Sequence, residues 1–217
     1  MFRTALISMF LTSVALADTW TVDDDGKADF DTIQAAIEVA SDGDEIIVMP
    51  GTYTTDQDPY VIDTWGLAIT VRSKDGASST ILDGQNKGCV VGFMDGETSA
   101  TILEGFTITG GSMSGITISD SSPTIKDCVI SGNSHGEEGG GVSMFGSSNP
   151  LLTNCVISGN HSNNQGGGVC TKDADCNPTL VNCTIINNSA GEAGGGFATM
   201  FDSRPTLTTC IISENEA

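Results

Sequence analysis

The sequence predicts an all-β parallel β-solenoid, and two observations carry that prediction. The first is a repeat. Pro123, Pro150, Pro178 and Pro205, then Cys128, Cys155, Cys183 and Cys210, then Asn133, Asn160, Asn188 and Asn215 all step by 27, 28 and 27 residues. The second is the content of each unit. In the first unit three short apolar runs, Thr124–Lys126, Val129–Ser131 and Val142–Met144, are separated by Gly, Asn and Ser. Self-similarity at a fixed period marks stacked supersecondary units. Three strand-length pieces in one unit leave no room for helices of 10 or more residues. Each unit therefore reads as one turn of a solenoid, pairing with the next rung at roughly 4.8 Å.

The repeat register predicts the interior. Ile125, Leu152, Leu180 and Leu207 form one row, Ile130, Ile157, Ile185 and Ile212 a second, and Val142, Val169 and Phe197 a third. One coil cannot bury its apolar side alone, so these rows should stack inward. The four cysteines are expected to add a buried ladder of small apolar side chains. The asparagine row is expected at a tight turn, since Asn tolerates left-handed backbone, with its amide bonded to the amide of the next rung. The Gly triplets at 139–141, 166–168 and 194–196 mark places where a Cβ would clash. Thr80–Gly84 and Thr101–Gly105 read as two versions of one phrase, 21 residues apart, so the earlier coils look shorter. The later coils gain the segments Ser134–Glu138, His161–Gln165 and Ser189–Ala193, a loop edge of the kind that carries binding on rigid scaffolds.

Along the chain, residues 1–17 read as a secretory signal peptide. Arg3 gives a positive start, Ala5–Leu16 is a short apolar run and Ala15-Leu16-Ala17 is a small-x-small cleavage site. The run is too short to span a bilayer. Residues 18–217 form the single expected domain. Thr19–Val22 is a first strand, followed by the acidic stretch Asp23–Asp31. A helix is expected over residues 31–42, with Asp31 as N-cap, Gln34 completing a capping box, and Ile33, Ala36, Ile37 and Ala40 on one face. Gly43 should end it. This helix would cover the first rung, because an open solenoid end exposes core and unpaired strand edges. Coils then run over 45–217, beginning with Glu45–Met49 and Leu67–Val71. The last coil is incomplete at Ala217, so either another molecule covers the open C-terminal end, as an oligomer would, or the chain is a piece of a longer parent. The second reading is preferred.

The formal charge is −20, and removal of residues 1–17 takes away Arg3, leaving seven basic side chains against 28 acidic ones. Nucleic acid is therefore not expected as a partner, anionic lipid surfaces are poor ones, and acidic polysaccharides are repelled unless cations bridge. Cys170 and Cys176 flank a small insertion, Thr171–Asp175, and are the disulfide candidate; two free thiols is the competing reading. Asn160-His-Ser, Asn182-Cys-Thr and Asn187-Asn-Ser are glycosylation acceptors if the source is eukaryotic.

Val22–Ile37 followed by Ile47-Val-Met-Pro-Gly-Thr-Tyr53 resembles the N-terminal cap of pectinesterases and of other secreted β-helix proteins. Essentially all of residues 19–217 is similar to the right-handed parallel β-helix family with the pectin-lyase fold. The resemblance implies a right-handed coil, here with three strands and 21–28 residues per turn. The Ile-x-x-Asn and Gly-Gly-Gly alternation also resembles the repeats of polymorphic outer membrane proteins, which are surface adhesins. These motifs specify fold more than chemistry, because one fold hosts many activities.

The active-site residues that the resemblance implies are missing. Pectinesterases require a mid-helix carboxylate pair, oxyanion glutamines and a downstream arginine. Polygalacturonases require clustered aspartates, Gly-His-Gly and Arg-x-Lys. Pectate and alginate lyases require a base beside a carboxylate-bound Ca²⁺, yet the mature arginines, Arg72 and Arg204, are expected away from any acidic stack. No catalytic residue is assigned. Two weak metal candidates exist. Asp23, Asp25 and Asp29 crowd around a Gly, and Glu137 and Glu192 flank Asn164 two rungs, roughly 10 Å, apart. Carboxylate and amide oxygens suit Ca²⁺, with turn and solvated-loop acids as the plainer readings. His135 and His161 share the loop row, offset by one. Glu104 and Lys126 read as a surface ion pair of little energetic value.

The reading is a secreted or cell-surface acidic protein, periplasmic or on the outer membrane in a bacterium. It is expected to be non-catalytic, to need no cofactor, and to contact extracellular polysaccharide or a surface protein through its loop edge. The alternatives are a pectate- or alginate-lyase or pectinesterase type enzyme whose catalytic residues lie beyond Ala217, and an adhesin repeat segment.

Overall fold

Alternation of apolar and polar residues in runs of three or four is realised as strand after strand, each inward side chain buried and each outward one wetter. The structure is a computed structural model and describes residues 16–54 and 60–217. The signal-peptide reading falls on residues 1–17, of which 1–15 lie outside the described residues.

The rungs stack their strands into three parallel sheets of eight, seven and six strands. The first sheet stacks Thr19–Val22, Glu45–Val48, Thr70–Ser73, Ile102–Glu104, Thr124–Lys126, Leu151–Thr153, Thr179–Val181 and Thr206–Thr208. The second stacks Gly51–Tyr53, Thr80–Asp83, Thr107–Thr109, Val129–Ser131, Val156–Ser158, Thr184–Ile186 and Ile211–Ser213. The third stacks Ile62–Asp63, Val91–Phe93, Ile116–Ser119, Val142–Phe145, Val169–Thr171 and Phe197–Thr199. The expected loop edge contributes a small fourth sheet of Ser134–His135, His161–Ser162 and Ser189–Ala190.

The register places the rows as the repeat requires. Ile125, Leu152 and Leu180 pair in sequence, as do Ile130, Ile157 and Ile185, and all six are fully buried. Cys128, Cys155 and Cys183 join the same core. The two similar phrases fall on different sheets. Thr80–Asp83 belongs to the second sheet and Ile102–Glu104 to the first, so the two are not equivalent. The true partner of Ile102 on the preceding rung is Thr70. That turn is 32 residues long, outside the 21–28 expected, because tolerant loops can lengthen a coil without changing the paired strands.

The asparagines do form an amide ladder. Asn133 Nδ2 donates to Asn160 Oδ1 (3.1 Å), Asn160 Nδ2 to Asn188 Oδ1 (3.0 Å), and Asn188 Nδ2 to Asn215 Oδ1 (3.0 Å). Each ladder oxygen also accepts the backbone N–H of the preceding Asn. The left-handed residues, however, are the ones just before: Gly132, Gly159, Asn187 and Glu214. The turn is made by the neighbour, which frees the Asn side chain to point inward. A second ladder runs outside: Asn182 Nδ2 donates to Asn154 Oδ1 and Asn154 Nδ2 to Asp127 Oδ1. The amide of Asn182 is thus engaged in a ladder on the surface, and Asn160 is buried.

The expected helix over 31–42 is one short element, Ile33–Ile37. Its N-cap is Thr32 rather than Asp31, with Thr32 Oγ1 accepting from Ala35 N (3.2 Å). Gln34 closes no capping box. Its amide brackets the backbone of Asp63, accepting from Asp63 N and donating to Asp63 O. Gly43 lies beyond the helix and donates its N–H to Ala68 O. Ile33, Ala36 and Ile37 are buried over the first rung beside the edge-on pair Trp20–Phe30.

Candidate functional site

On the third sheet the odd strand positions point inward, as Ile116, Val142 and Val169 do, so the intervening residues point out. The outward row reads Asp63, Gly92, Thr117, Ser143, Cys170 and Ala198. It is a row of small and hydroxylic side chains, and small residues leave a depression. Two hollows lie along it. One, of about 330 Å³, is lined by Tyr60, Lys87, Cys89, Met113 and Thr117, and the other, of about 290 Å³, by Glu137, Glu138, Cys170, Lys172 and Asp173. Both share His135, Ser143 and Phe145, so they form one groove running along the solenoid axis.

Its ends and walls follow from local sequence. Tyr60 lies over Gly92, where an added Cβ would sit 3.1 Å from its ring. Its hydroxyl donates to Met94 Sδ (3.7 Å) and burial raises its pKa. At the other end Lys172 Nζ bonds Glu138 Oε2 (3.1 Å) and stands 5.7 Å from the centroid of the Phe201 ring. The loop edge supplies His135. Its Nδ1 accepts the backbone N–H groups of Glu137 (2.9 Å) and Glu138 (2.8 Å). A nitrogen that accepts cannot carry the proton, so the neutral ring bears its hydrogen on Nε2. Burial lowers the pKa of His135, against the pull of Glu137 and Glu138.

The groove's thiols are not nucleophiles at neutral pH. Burial pushes Cys89 to about 11 and Cys170 to about 12. Cys89 Sγ donates to Val91 O and Thr117 Oγ1, both at 3.2 Å. Cys170 and Cys176 are free thiols rather than a disulfide. Alternation separates them: Val169 points into the core and Cys170 out of it, toward Met200 Sδ (3.8 Å), while Cys176 packs within the core.

The metal candidates are placed as follows. Asp25 pairs with Lys27, Asp29 accepts from Thr21 N and Oγ1, and Asp23 accepts from Asp25 N. These three form no set of ligand atoms in reach of one ion. Glu137 and Glu192 do sit two rungs apart through Asn164, whose N–H bonds Glu137 O and whose carbonyl accepts Glu192 N. Among the described residues the acids that converge are Asp63, Asp95 and Glu97, with ligand atoms within 4.8 Å of one another. Four donors already hold the Glu97 carboxylate: Thr64 Oγ1, Gly66 N, Asp95 N and Ser121 Oγ. Burial pushes its pKa up, and these hydrogen bonds outweigh burial, leaving it lowered. That arrangement fastens a loop. Sequence alone missed the trio because its members are brought together across two rungs.

His161 is separate from the groove, with Nδ1 2.9 Å from Ser189 Oγ. Lys126 pairs with Glu104 (2.9 Å) as expected. Arg72 departs from expectation. It lies in register with Glu104 and bonds Glu45 (2.7 Å), so it does stand in an acidic column.

The comparisons with known proteins agree with this architecture. Residues 67–217 match the family described as the right handed beta helix region. Among curated proteins no sequence matches the chain. The solved structure of pectate lyase Pel9A superposes with a TM-score of 0.59 at 16% identity, covering 85% of this chain and 50% of that one. The chain thus spans half the length of that enzyme. Pectin methylesterase from carrot gives a TM-score of 0.48 at 11% identity, covering 94% of this chain and 87% of that one. The Aspergillus niger pectin methylesterase gives 0.44 at 12%, covering 92% and 86%. Among the described residues no helix is long and apolar enough to cross a membrane. With the fold, the register and the match over 67–217 in agreement, this chain belongs to the right-handed β-helix family.

Proposed function

We propose that this protein works outside the cell or on its surface as a non-catalytic glycan-binding β-helix, holding an extended sugar chain along the groove of the third sheet. The observation that carries the reading is the continuity of that groove through His135, Ser143 and Phe145. The floor residues that line it, Thr117, Ser143 and Cys170, lie on three successive rungs, about 10 Å at the parallel rung spacing. Tyr60 and Phe145 offer apolar faces for sugar rings, and Thr117, Ser143 and His135 Nε2–H offer fixed polar partners, the mixture typical of ligand sites. A formal charge of −20 favours a neutral glycan over an acidic one.

Absence of catalysis by His135, Lys172, Cys89 or Cys170 is supported by how those groups are used. His135 Nδ1 is committed to two N–H groups, Lys172 to Glu138, and the two thiols stay protonated. A general base must have a free lone pair within reach of its proton. The test is titration of the protein with neutral oligosaccharides of glucan, xylan and mannan type, followed by calorimetry, beside an activity screen on pectate, methylated pectin and alginate with and without Ca²⁺. Binding that weakens at least tenfold in Tyr60→Ala, with no turnover, is the expected result. Turnover of an acidic polysaccharide would overturn it.

The second reading is a polysaccharide lyase or esterase completed by residues outside this chain. What favours it is that the chain covers half of the pectate lyase it superposes on. The activity screen separates the two.

A further inference from the structure

The two hollows of the groove carry different chemistry. Among the described residues, the hollow of about 330 Å³ sets the Tyr60 ring, the exposed Met113 and the protonated thiol of Cys89 beside Thr117, with Lys87 as its one charged lining side chain. The hollow of about 290 Å³ brings three carboxylates, Glu137, Glu138 and Asp173, against one ammonium, Lys172. Those carboxylates are used differently. Glu138 pairs with Lys172 (3.1 Å), and Asp173 Oδ2 accepts the N–H of Gly146 (2.9 Å). Glu137 is exposed, and no side-chain hydrogen bond or ion pair engages its carboxylate among the described residues. Its backbone is nevertheless fixed. Glu137 N donates to His135 Nδ1, and Glu137 O accepts from Asn164 N (2.9 Å) and Gln165 N (3.2 Å). A carboxylate on a fixed backbone with no internal partner is preorganised for an external cation. The excess of acid over base in this hollow, within a chain of formal charge −20, attracts cations and repels anions.

We propose that the glycan held in the groove is an amino-sugar chain, with a protonated amine beside Glu137 and Asp173 and an apolar substituent, such as an N-acetyl group, between Tyr60 and Met113. This inference rests on the glycan-binding reading above and narrows it to chains that carry both groups. The hollows meet at Ser143, which lies on the floor between Thr117 and Cys170 of the adjacent rungs, so one chain reaches both. Phe145 lines both hollows and offers a ring face, which a cation also favours. A basic peptide would match the charge but leave its own backbone unserved. The floor strands Ile116–Ser119 and Val142–Phe145 are each paired on both sides, so they present side chains and no free edge for strand addition.

The test is calorimetric titration of the whole chain at physiological salt, which screens diffuse attraction. The probes are chitin oligosaccharides of one length, fully acetylated, partly acetylated and fully deacetylated, beside a cello-oligosaccharide and oligolysine. The partly acetylated chain should bind about tenfold tighter than the fully acetylated one. Glu137→Gln should abolish that preference, and Met113→Ala should weaken the acetylated chain more than the deacetylated one. Both side chains are exposed, and each variant's melting curve shows that it is folded. Equal binding of the cello-oligosaccharide and the amino-sugar chains would overturn this inference and leave the groove reading standing. No binding of any oligosaccharide would overturn both. A preference that survives Glu137→Gln, or oligolysine that competes as well as the sugar, would reduce the effect to diffuse charge attraction and overturn the inference.

Discussion

Two rungs of this protein carry nearly the same residues and have different fates. In the coil Leu180–Asn188, Leu180, Cys183 and Ile185 are buried to within 1%. In the coil Leu207–Asn215, Leu207 is 37% exposed and Ile212 is 47% exposed. The strands, their register and the Asn amide are the same in both. What differs is whether another rung stacks on top. In a solenoid each unit buries its neighbour's face, so stability is approximately a sum of nearest-neighbour terms. Position in the stack, rather than residue identity, sets the value of a side chain.

Core truncation gives the largest contrast. Ile157→Ala should destabilise by about 2–5 kcal/mol, as a cavity in a packed row does, whereas Ile212→Ala should fall near the surface range of about ±0.5 kcal/mol. Equal losses in urea unfolding would break the comparison. The amide ladder comes next. Asn160→Ala strips partners from Asn133 N, Asn133 Nδ2 and the Ile130 carbonyl, and each buried group left unpaired costs about 1–3 kcal/mol. Asn215→Ala strips the equivalent groups, Asn188 N, Asn188 Nδ2 and the Ile185 carbonyl, but from the partly exposed side of Asn215, where water can replace the lost amide, and should cost visibly less.

Glycines sharpen the contrast between stacked and open backbone. A Cβ at Gly167 would lie 2.1 Å from Ser189 O and 2.6 Å from Gly195 O, while at Gly136 nothing lies within 4 Å. Gly167→Ala should cost about 1–3 kcal/mol as overpacking, and Gly136→Ala should be neutral or slightly stabilising. A Gly167→Ala chain with an unchanged melting temperature would refute the close stacking.

The smallest effect concerns pH. His135 has its pKa lowered in the fold, burial being the main cause, so the unfolded chain binds the extra proton first. Stability should be complete above the ordinary histidine pKa of about 6.5 and should fall as pH drops through the window between that value and the folded one. Protonation also puts a hydrogen on Nδ1 against the N–H groups of Glu137 and Glu138. His135→Asn keeps an acceptor and removes the titration, so its melting temperature should lack this component between pH 7.5 and 5.5. Parallel curves for the two chains would show that His135 does not report on the groove wall.

How much of this was legible in the sequence depends on the range of the interaction. In-register stacking requires the same residue class at each turn, so Ile125, Ile130, Cys128 and Asn133 announce the architecture through their periodicity. The capping helix was over-read at 31–42 because helical spacing continues past Ile37, although the chain must turn there to begin the next rung at Glu45. The groove was not legible. It depends on which outward side chains are small, on Tyr60 lying over Gly92, and on the backbone beyond His135 turning two N–H groups toward Nδ1. Those are contacts between rungs and across turns, with no fixed spacing to betray them. By itself the sequence determined that the chain coils, what fills the coil and where the ladders run, since repetition is a one-dimensional property. Tertiary structure alone decided which face is hollow, which histidine nitrogen carries the proton, that Arg72 stands between Glu45 and Glu104, and which ladder cysteine meets solvent, because each of these depends on what the neighbouring rung places against it.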